Sequence, residues 1–282
     1  MSQIRWLDRP GCDDPQLVGG KAASLARLAA DFPVPPGFCV TAAAQLEAGV
    51  GDVPPPLATA VAAAYAALGE RCGGQDPVVA VRSSAVGEDG VTASFAGLFA
   101  SYLNVRGTAG VLAAISRCWA SAADPRVLVY RREHGGAAAG VGVLVQALVP
   151  ADTAAVVFSV NPASGATDEI VINANWGLGE SVVGGLATPD TWILRRPALS
   201  RVRFALGDKA QMTVRVDGGT REVPVLRTMR ARPCLGEAQV RELGELALRL
   251  EAAMGWPVDV ECAHADGRLH VLQCRPVTAL RR

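Results

Sequence analysis

The sequence predicts an α+β fold in which short strands and hairpins alternate with amphipathic helices. Apolar residues recur at helical spacing in several stretches, and short β-branched runs bounded by Gly, Pro, Asn or Asp lie between them. A chain of 282 residues can bury a full core, either as one large domain or as two subdomains. Neither a GxxxxGK[ST] phosphate loop nor a GxGxxG fingerprint occurs, so any phosphate site must use another architecture. Half of the residues are hydrophobic and the formal net charge is +0, which argues against a nucleic-acid or anionic-membrane binder. No apolar run reaches the length of a membrane span, and the start, MSQIRWLDRPGCDD, lacks a signal-peptide apolar region. The expected location is the cytoplasm.

Gly19-Gly20-Lys21 opens a helix with Ala22, Leu25, Leu28, Ala29 and Phe32 on its apolar side. Lys21 lies in the first turn, where the helix dipole disfavours a cation; an anion bound at that end would remove the conflict. Val34-Pro35-Pro36-Gly37-Phe38 stops the helix and leads into the strand FCVT, and the Ala-rich run Leu57–Leu68 is a further helix. The stretch from Val79 to Val105 organises the rest. A β-branched run delivers Arg82 to a segment in which Ser83, Ser84, Thr92 and Ser94 offer hydroxyls and Gly87, Gly90 and Gly97 let the backbone bend around one anion. Arg82 adds a fixed positive fork.

Helical spacing resumes over Gly110–Ala122 and again over Val127–Glu133, which His134-Gly135-Gly136 ends. Val141–Val149 reads as a buried strand with one polar residue, Gln146, and Ala154–Val160 as its partner. Glu169–Asn175 is another strand, running into Trp176-Gly177-Leu178-Gly179-Glu180. Thr213–Val216 and Arg221–Leu226 form a hairpin, and Glu237–Met254 is an amphipathic helix with Val240, Leu243, Leu246, Ala247 and Leu250 inward, capped by Gly255. Of 27 basic residues only Lys21 and Lys209 are lysines, so a lysine here points to a requirement that Arg cannot meet. The seven cysteines show no zinc spacing and are expected to be reduced, with Cys262 and Cys274 as small buried thiols.

In the final hairpin, strands from Pro257 and up to Pro276 flank Ala265-Asp266-Gly267-Arg268. Period-two alternation puts Asp259 and Glu261 on one face of the first strand and Gln273 and Arg275 on one face of the second. Carboxylate and amide oxygens suit a hard cation such as Mg²⁺, and Arg275 suits phosphate. A two-residue Asp266-Gly267 turn would pair Glu261 with Leu272 and send Gln273 to the opposite face. The expectation is therefore a three- or five-residue loop, most simply Ala265-Asp266-Gly267 with Gly267 left-handed, unless a bulge restores parity.

The segments GGKAASL, VPPGF, VRSSAVGED, SFAG, YLNV, VVFSVNPASG, WGLGESVVGG, TPD and DVECAHADGRLHVLQCRPVT resemble, in the same order, the ATP-binding domain of the phosphoenolpyruvate synthase, pyruvate phosphate dikinase and rifampin phosphotransferase family. The resemblance runs from about Leu17 to Thr278. It implies an ATP-grasp-like nucleotide-binding domain with MgATP in the cleft, approximate subdomains 1–125 and 126–282, and phosphotransferase activity. By it, Lys21, Arg82 and Arg275 match phosphate-binding positions and Glu261 and Gln273 match Mg²⁺ and ATP positions. Gln146, Ala147, Leu148 and Val149 match the segment that passes the adenine, and Glu180 and Asp259 match positions near the nucleotide. The family's mobile phosphohistidine domain and pyruvate barrel have no counterpart in these residues. The expectation is the ATP-using part of a split system that passes phosphate to a histidine on a separate protein, the small-molecule acceptor being unnamed. Two other readings stand beside it, a stand-alone small-molecule kinase or ATP-dependent ligase, and a nucleotide-binding regulatory module without turnover.

Overall fold

The computed structural model of the chain describes residues 3–49, 51–87, 100–122, 140–185 and 187–278. The expected helix over Val127–Glu133 and its end at His134 lie outside the described residues. The α+β class is observed, in two compact units: the first ends at Leu148, the second begins at Val149, and the hairpin tip Asp217–Gly219 groups with the first. The division thus falls later than the expected 125/126. The reason is that the strand Val141–Ala147 is an interior member of the first sheet.

In the first unit, strands β1 (Ile4–Trp6), β2 (Gly37–Val40), β3 (Val79–Ala85), β4 (Ser101–Val105) and β5 (Val141–Ala147) form an antiparallel sheet in the order β1-β2-β5-β3-β4. Helices α1 (Pro15–Val18), α2 (Gly20–Leu28), α3 (Ala42–Ala48), α4 (Pro55–Arg71) and α5 (Thr108–Ser121) surround it. Alternation along the strands turns Val79, Val81, Val143 and Val145 to one face, where they close a core with Leu57, Val61, Leu68, Ile115 and Trp119 of α4 and α5. Each such fully buried side chain contributes about 1.5–3 kcal/mol relative to exposure. The opposite face receives α1 and α2. Its strands approach so closely that a Cβ on Gly142 would lie 2.5 Å from the Val18 carbonyl oxygen.

The second unit is built on six antiparallel strands: β6 (Thr153–Phe158), β7 (Glu169–Trp176), β8 (Asp190–Arg195), β9 (Ser200–Ala205), β12 (Val258–Ala265) and β13 (Arg268–Pro276), in the order β13-β12-β6-β7-β8-β9. Between β9 and β12 come the hairpin β10 (Gln211–Val216) and β11 (Gly219–Pro224), and the helices α7 (Arg227–Arg230) and α8 (Glu237–Met254); the short α6 (Glu180–Val183) follows β7. Gly255 closes α8 in the left-handed conformation, φ 77°, as the sequence requires. Val240, Leu243, Leu246, Ala247 and Leu250 of α8 pack across β12, β6 and β7. The sheet answers with Val260, Val157, Ile172 and Trp192, a row buried across four strands. The opposite face is half-open. There Glu261, Val156, Asn173 and Thr191 are each partly accessible.

One expected pairing is corrected. Strand β6 does not partner β5, although the two are consecutive in sequence. Both edges of β5 are already taken, by β2 and β3, so the chain leaves through Leu148-Val149-Pro150 and starts the second sheet, where β6 lies between β12 and β7. No helix among the described residues is long and apolar enough to cross a membrane.

Candidate functional site

In the first unit the expected residues gather where α2 meets β3. A Cβ on Gly19 would lie 1.9 Å from the Ser84 carbonyl oxygen, and Gly19 has φ +80°, so only glycine lets the helix start this near the strand. The Ala22 backbone N–H donates to Ser84 Oγ at 3.1 Å. Ser84 therefore supplies an N-terminal cap to α2 from another element, satisfying one of the helix's first amides. Lys21 adjoins Ala22, and Arg82 lies two residues before Ser84 on the same strand face, so this bond brings both cations to the same end of the sheet. Arg82 is the one β3 residue that is not buried.

The phosphate cradle is corrected in part. Ser83 and Ser84 are 1% and 0% exposed, and Ser83 lies beside the Cys118 thiol, which burial pushes up to about 11. Neither hydroxyl faces an open surface: the Ser84 oxygen caps α2, and Ser83 is buried beside Cys118. Gly87, exposed and at φ +85°, continues the turn after β3. Thr92 and Ser94 lie outside the described residues. Gln146 is 2% exposed and its Nε2 donates to the Pro35 carbonyl at 3.1 Å, tying β5 to the Pro-Pro turn. The amides of Ala147 and Leu148 are likewise taken, by the carbonyls of Pro36 and Val78.

In the second unit, β12 and β13 carry the charged pairs. The turn between them has two residues, Asp266 (φ 49°) and Gly267 (φ 71°), with Ala265 paired to Arg268. The three- or five-residue loop expected from parity is not found. Instead the register shifts between Glu261 and Cys262, and Leu272 is the extra residue of a bulge. That shift places Glu261 directly opposite Gln273 and Asp259 opposite Arg275 on the half-open face. Leu272 packs with Val149, Ala263 and Ala265, so the bulge also anchors the first residue of the unit.

Arg275 Nε donates to Asp259 Oδ2 at 2.9 Å. Burial pushes the Asp259 carboxyl above its ordinary value; the Arg275 guanidinium opposes this and the Glu261 charge adds to it. Asp259 Oδ1 is buried with no hydrogen-bond partner among the described residues. An orphaned carboxylate oxygen is costly, and a cation beside it would offset that cost. The donor set of Asp259, Glu261 and Gln273 is all oxygen, which fits Mg²⁺. Among the described residues no three His, Cys, Asp or Glu side chains converge as a metal site, so such a cation would complete its shell from water and phosphate. Glu180 opens α6 just after Gly177-Leu178, which are held by Thr213 of β10.

Other sequence-marked residues serve the fold. Lys209 is 0% exposed; its Nζ lies 2.5 Å from Asp190 Oδ1 and donates to the Gly207 carbonyl at 3.0 Å. All seven cysteines are free, and Cys262 and Cys274 are buried. His264 lies toward the α8 side against Glu242, at 3.1 Å. A groove of about 610 Å³ bordered by Trp176, Trp192, Phe204 and Arg232 also lies in this unit and holds none of the expected site residues. Asn173 and Thr191, which share the half-open face with Glu261, were not singled out from sequence. The alternation of apolar 170, 172 and 174 with polar 173 and 175 is the signal that marks Asn173.

Residues 50–282 match the family described as pyruvate phosphate dikinase, AMP/ATP-binding domain. A probable phosphoenolpyruvate synthase of Methanocaldococcus jannaschii is 36% identical over an alignment covering 100% of this chain and 27% of that protein. Its counterpart in Methanothermobacter thermautotrophicus is 35% identical over 98% of this chain and 46% of that protein. A rifampicin phosphotransferase of Streptomyces sviceus is 35% identical over 97% of this chain and 36% of that protein. The chain thus spans about a quarter to a half of these relatives. Among solved structures, D-alanine–D-alanine ligase from Bacillus anthracis complexed with ATP aligns over 94% of this chain and 56% of that one, with 9% identity and a TM-score of 0.37.

Proposed function

Taking as premise that the chain belongs to the pyruvate phosphate dikinase AMP/ATP-binding domain family, we propose that it binds MgATP and passes a phosphoryl group to a histidine on a separate protein. The observation that carries the reading is the bulged hairpin, which turns Asp259, Glu261, Gln273 and Arg275 to one half-open face. Phosphoryl transfer asks a protein chiefly for positioning and for charge neutralisation, and these residues supply both. In the second unit Glu261 and Gln273 would hold Mg²⁺, Asp259 would fix the Arg275 fork, and Arg275 would bind phosphate. Glu261 and Gln273 would thereby bring the charge neutralisation that Mg²⁺ supplies to the phosphates. In the first unit Lys21 at the start of α2 and Arg82 on β3 would neutralise further phosphate charge. Gln146 to Val149 would pass the adenine, with Glu180 near the nucleotide and Gly87, Thr92 and Ser94 completing the phosphate loop.

The acceptor is read as lying outside residues 1–282. His264 is 3% exposed and held by Glu242, and His270 is half-buried within β13, with burial and the neighbouring Arg268 and His264 charges lowering its pKa. His134 lies outside the described residues. The test is product analysis with purified chain and MgATP, with and without a histidine-bearing partner. Slow hydrolysis alone, then AMP, inorganic phosphate and an acid-labile phosphoprotein once the partner is added, is the expected result. ADP and a phosphorylated small molecule made by the chain alone at an ordinary enzymatic rate would overturn the reading in favour of a stand-alone kinase.

A further inference from the structure

Asn173 sits in the interior of β7 on the half-open face, in one row with Gln273, Glu261, Val156 and Thr191, each directly opposite the next. Thr191 Oγ1 donates to Asn173 Oδ1 at 2.8 Å. That bond occupies the acceptor end of the amide and sets its orientation. The oxygen and nitrogen of a carboxamide lie on opposite sides of Cγ, so an oxygen turned to β8 turns the NH₂ away from β8. Among the described residues no acceptor takes either Nδ2 hydrogen. In the adjoining row of this face Phe158, Val171 and Ile193 are apolar. Asn173 and Thr191 are therefore a polar island beside an apolar strip, with the donor half of one amide held ready.

We infer that Asn173 donates a hydrogen bond to an oxygen of the nucleotide on this face, and that Thr191 is the residue that positions it. This rests on the reading that Glu261 and Gln273 hold the metal of MgATP. Asn173 itself is no metal ligand. Its oxygen is turned toward Thr191 on β8, and two strand spacings, on the order of 10 Å, separate its backbone from that of Glu261. One cation cannot bridge that gap with metal–oxygen bonds of about 2.0–2.1 Å, whereas one extended nucleotide can. A donor fixed in this way selects a lone pair, which a phosphate or a ribose oxygen supplies.

The test compares Asn173→Asp, Asn173→Leu and Thr191→Val by calorimetric titration with MgATP, AMP and inorganic triphosphate. Asn173→Asp keeps shape and the acceptor for Thr191 but replaces the donor by a second acceptor. Asn173→Leu removes the donor without adding charge. Both are expected to weaken MgATP binding roughly tenfold or more, and Thr191→Val by a smaller factor, with melting curves unchanged. Weakened triphosphate binding identifies a phosphate oxygen as the acceptor; weakened AMP binding with triphosphate unaffected identifies a ribose oxygen. Wild-type affinities in Asn173→Leu would overturn the inference, because a loss confined to the Asp variant is charge repulsion alone. Failure of the wild-type chain to bind any of the three probes would instead overturn the nucleotide reading beneath it.

Discussion

Lys209→Met separates a lysine kept for the fold from one kept for chemistry. Lys209 and Asp190 are both 0% exposed, and the ammonium lies 2.5 Å from Asp190 Oδ1. The same carboxylate accepts the Gly207 and Cys234 amides, each at 2.8 Å, so it joins the start of β8, the loop before β10 and the segment before α8. Removing the ammonium leaves a buried carboxylate with two amide donors and no counter-charge. Breaking a buried pair in this way costs about 3–5 kcal/mol, and the two remaining amide bonds place the expectation near the lower end. Lys209→Arg preserves charge but forces a longer planar fork into a closed site, with an overpacking cost of about 1–3 kcal/mol. Urea unfolding followed by tryptophan fluorescence reads both, since Trp176 and Trp192 lie in the same unit. Variants that still fold are expected to keep nucleotide affinity, because Lys209 reaches no open surface. A Lys209→Met midpoint indistinguishable from wild type would show that the amides alone hold Asp190 and would refute the reasoning; loss of nucleotide binding in a folded variant would give Lys209 a chemical role.

Three further outcomes are expected. Lys21→Arg should lower ATP turnover roughly hundredfold despite conserved charge, because a broad fork replaces a compact ammonium; wild-type kinetics would make Lys21 an ordinary surface residue. Glu261→Ala should abolish turnover while leaving the melt intact, since this side chain faces the half-open side of the sheet; unchanged turnover at saturating Mg²⁺ would remove it from the site. Glu251 forms a two-pronged pair with Arg196, at 3.0 and 2.8 Å. Burial would raise its carboxyl, but the Arg196 guanidinium and the Ser159 hydroxyl outweigh this and hold it below the ordinary 4.5. A lowered carboxylate contributes stability that is present above its unfolded pKa and is lost as pH falls through the folded one. Glu251→Gln should therefore cost about 1–3 kcal/mol at neutral pH, with the gap to wild type closing as the medium is acidified below that range. A gap that stayed constant into strong acid would contradict the charge-based account.

The sequence by itself determined what local chemistry can specify. The 3.6-residue spacing of Val240, Leu243, Ala247 and Leu250 and the left-handed glycine after Met254 set out α8 from end to end. Gly19-Gly20-Lys21 marked the start of α2, because only glycine admits the required backbone there. Period-two alternation put Asp259 with Glu261 and Gln273 with Arg275, and the ordered run of family motifs named the nucleotide-binding class. What only the tertiary structure decided are matters of partnership. Asp-Gly demands a two-residue turn on local grounds, while the paired carboxylate and amide demand odd parity; the bulge at Leu272 meets both, and its anchor is contact with Val149, more than a hundred residues away. Strand β5 passes β6 by because β2 and β3, distant in sequence, already occupy its edges. Ser84 looks like a ligand donor until α2 is laid against it and claims its oxygen for Ala22. The scarcity of lysine drew attention to Lys209, yet whether its ammonium meets a phosphate or Asp190 depends on which segments fold over it, and no local pattern encodes that.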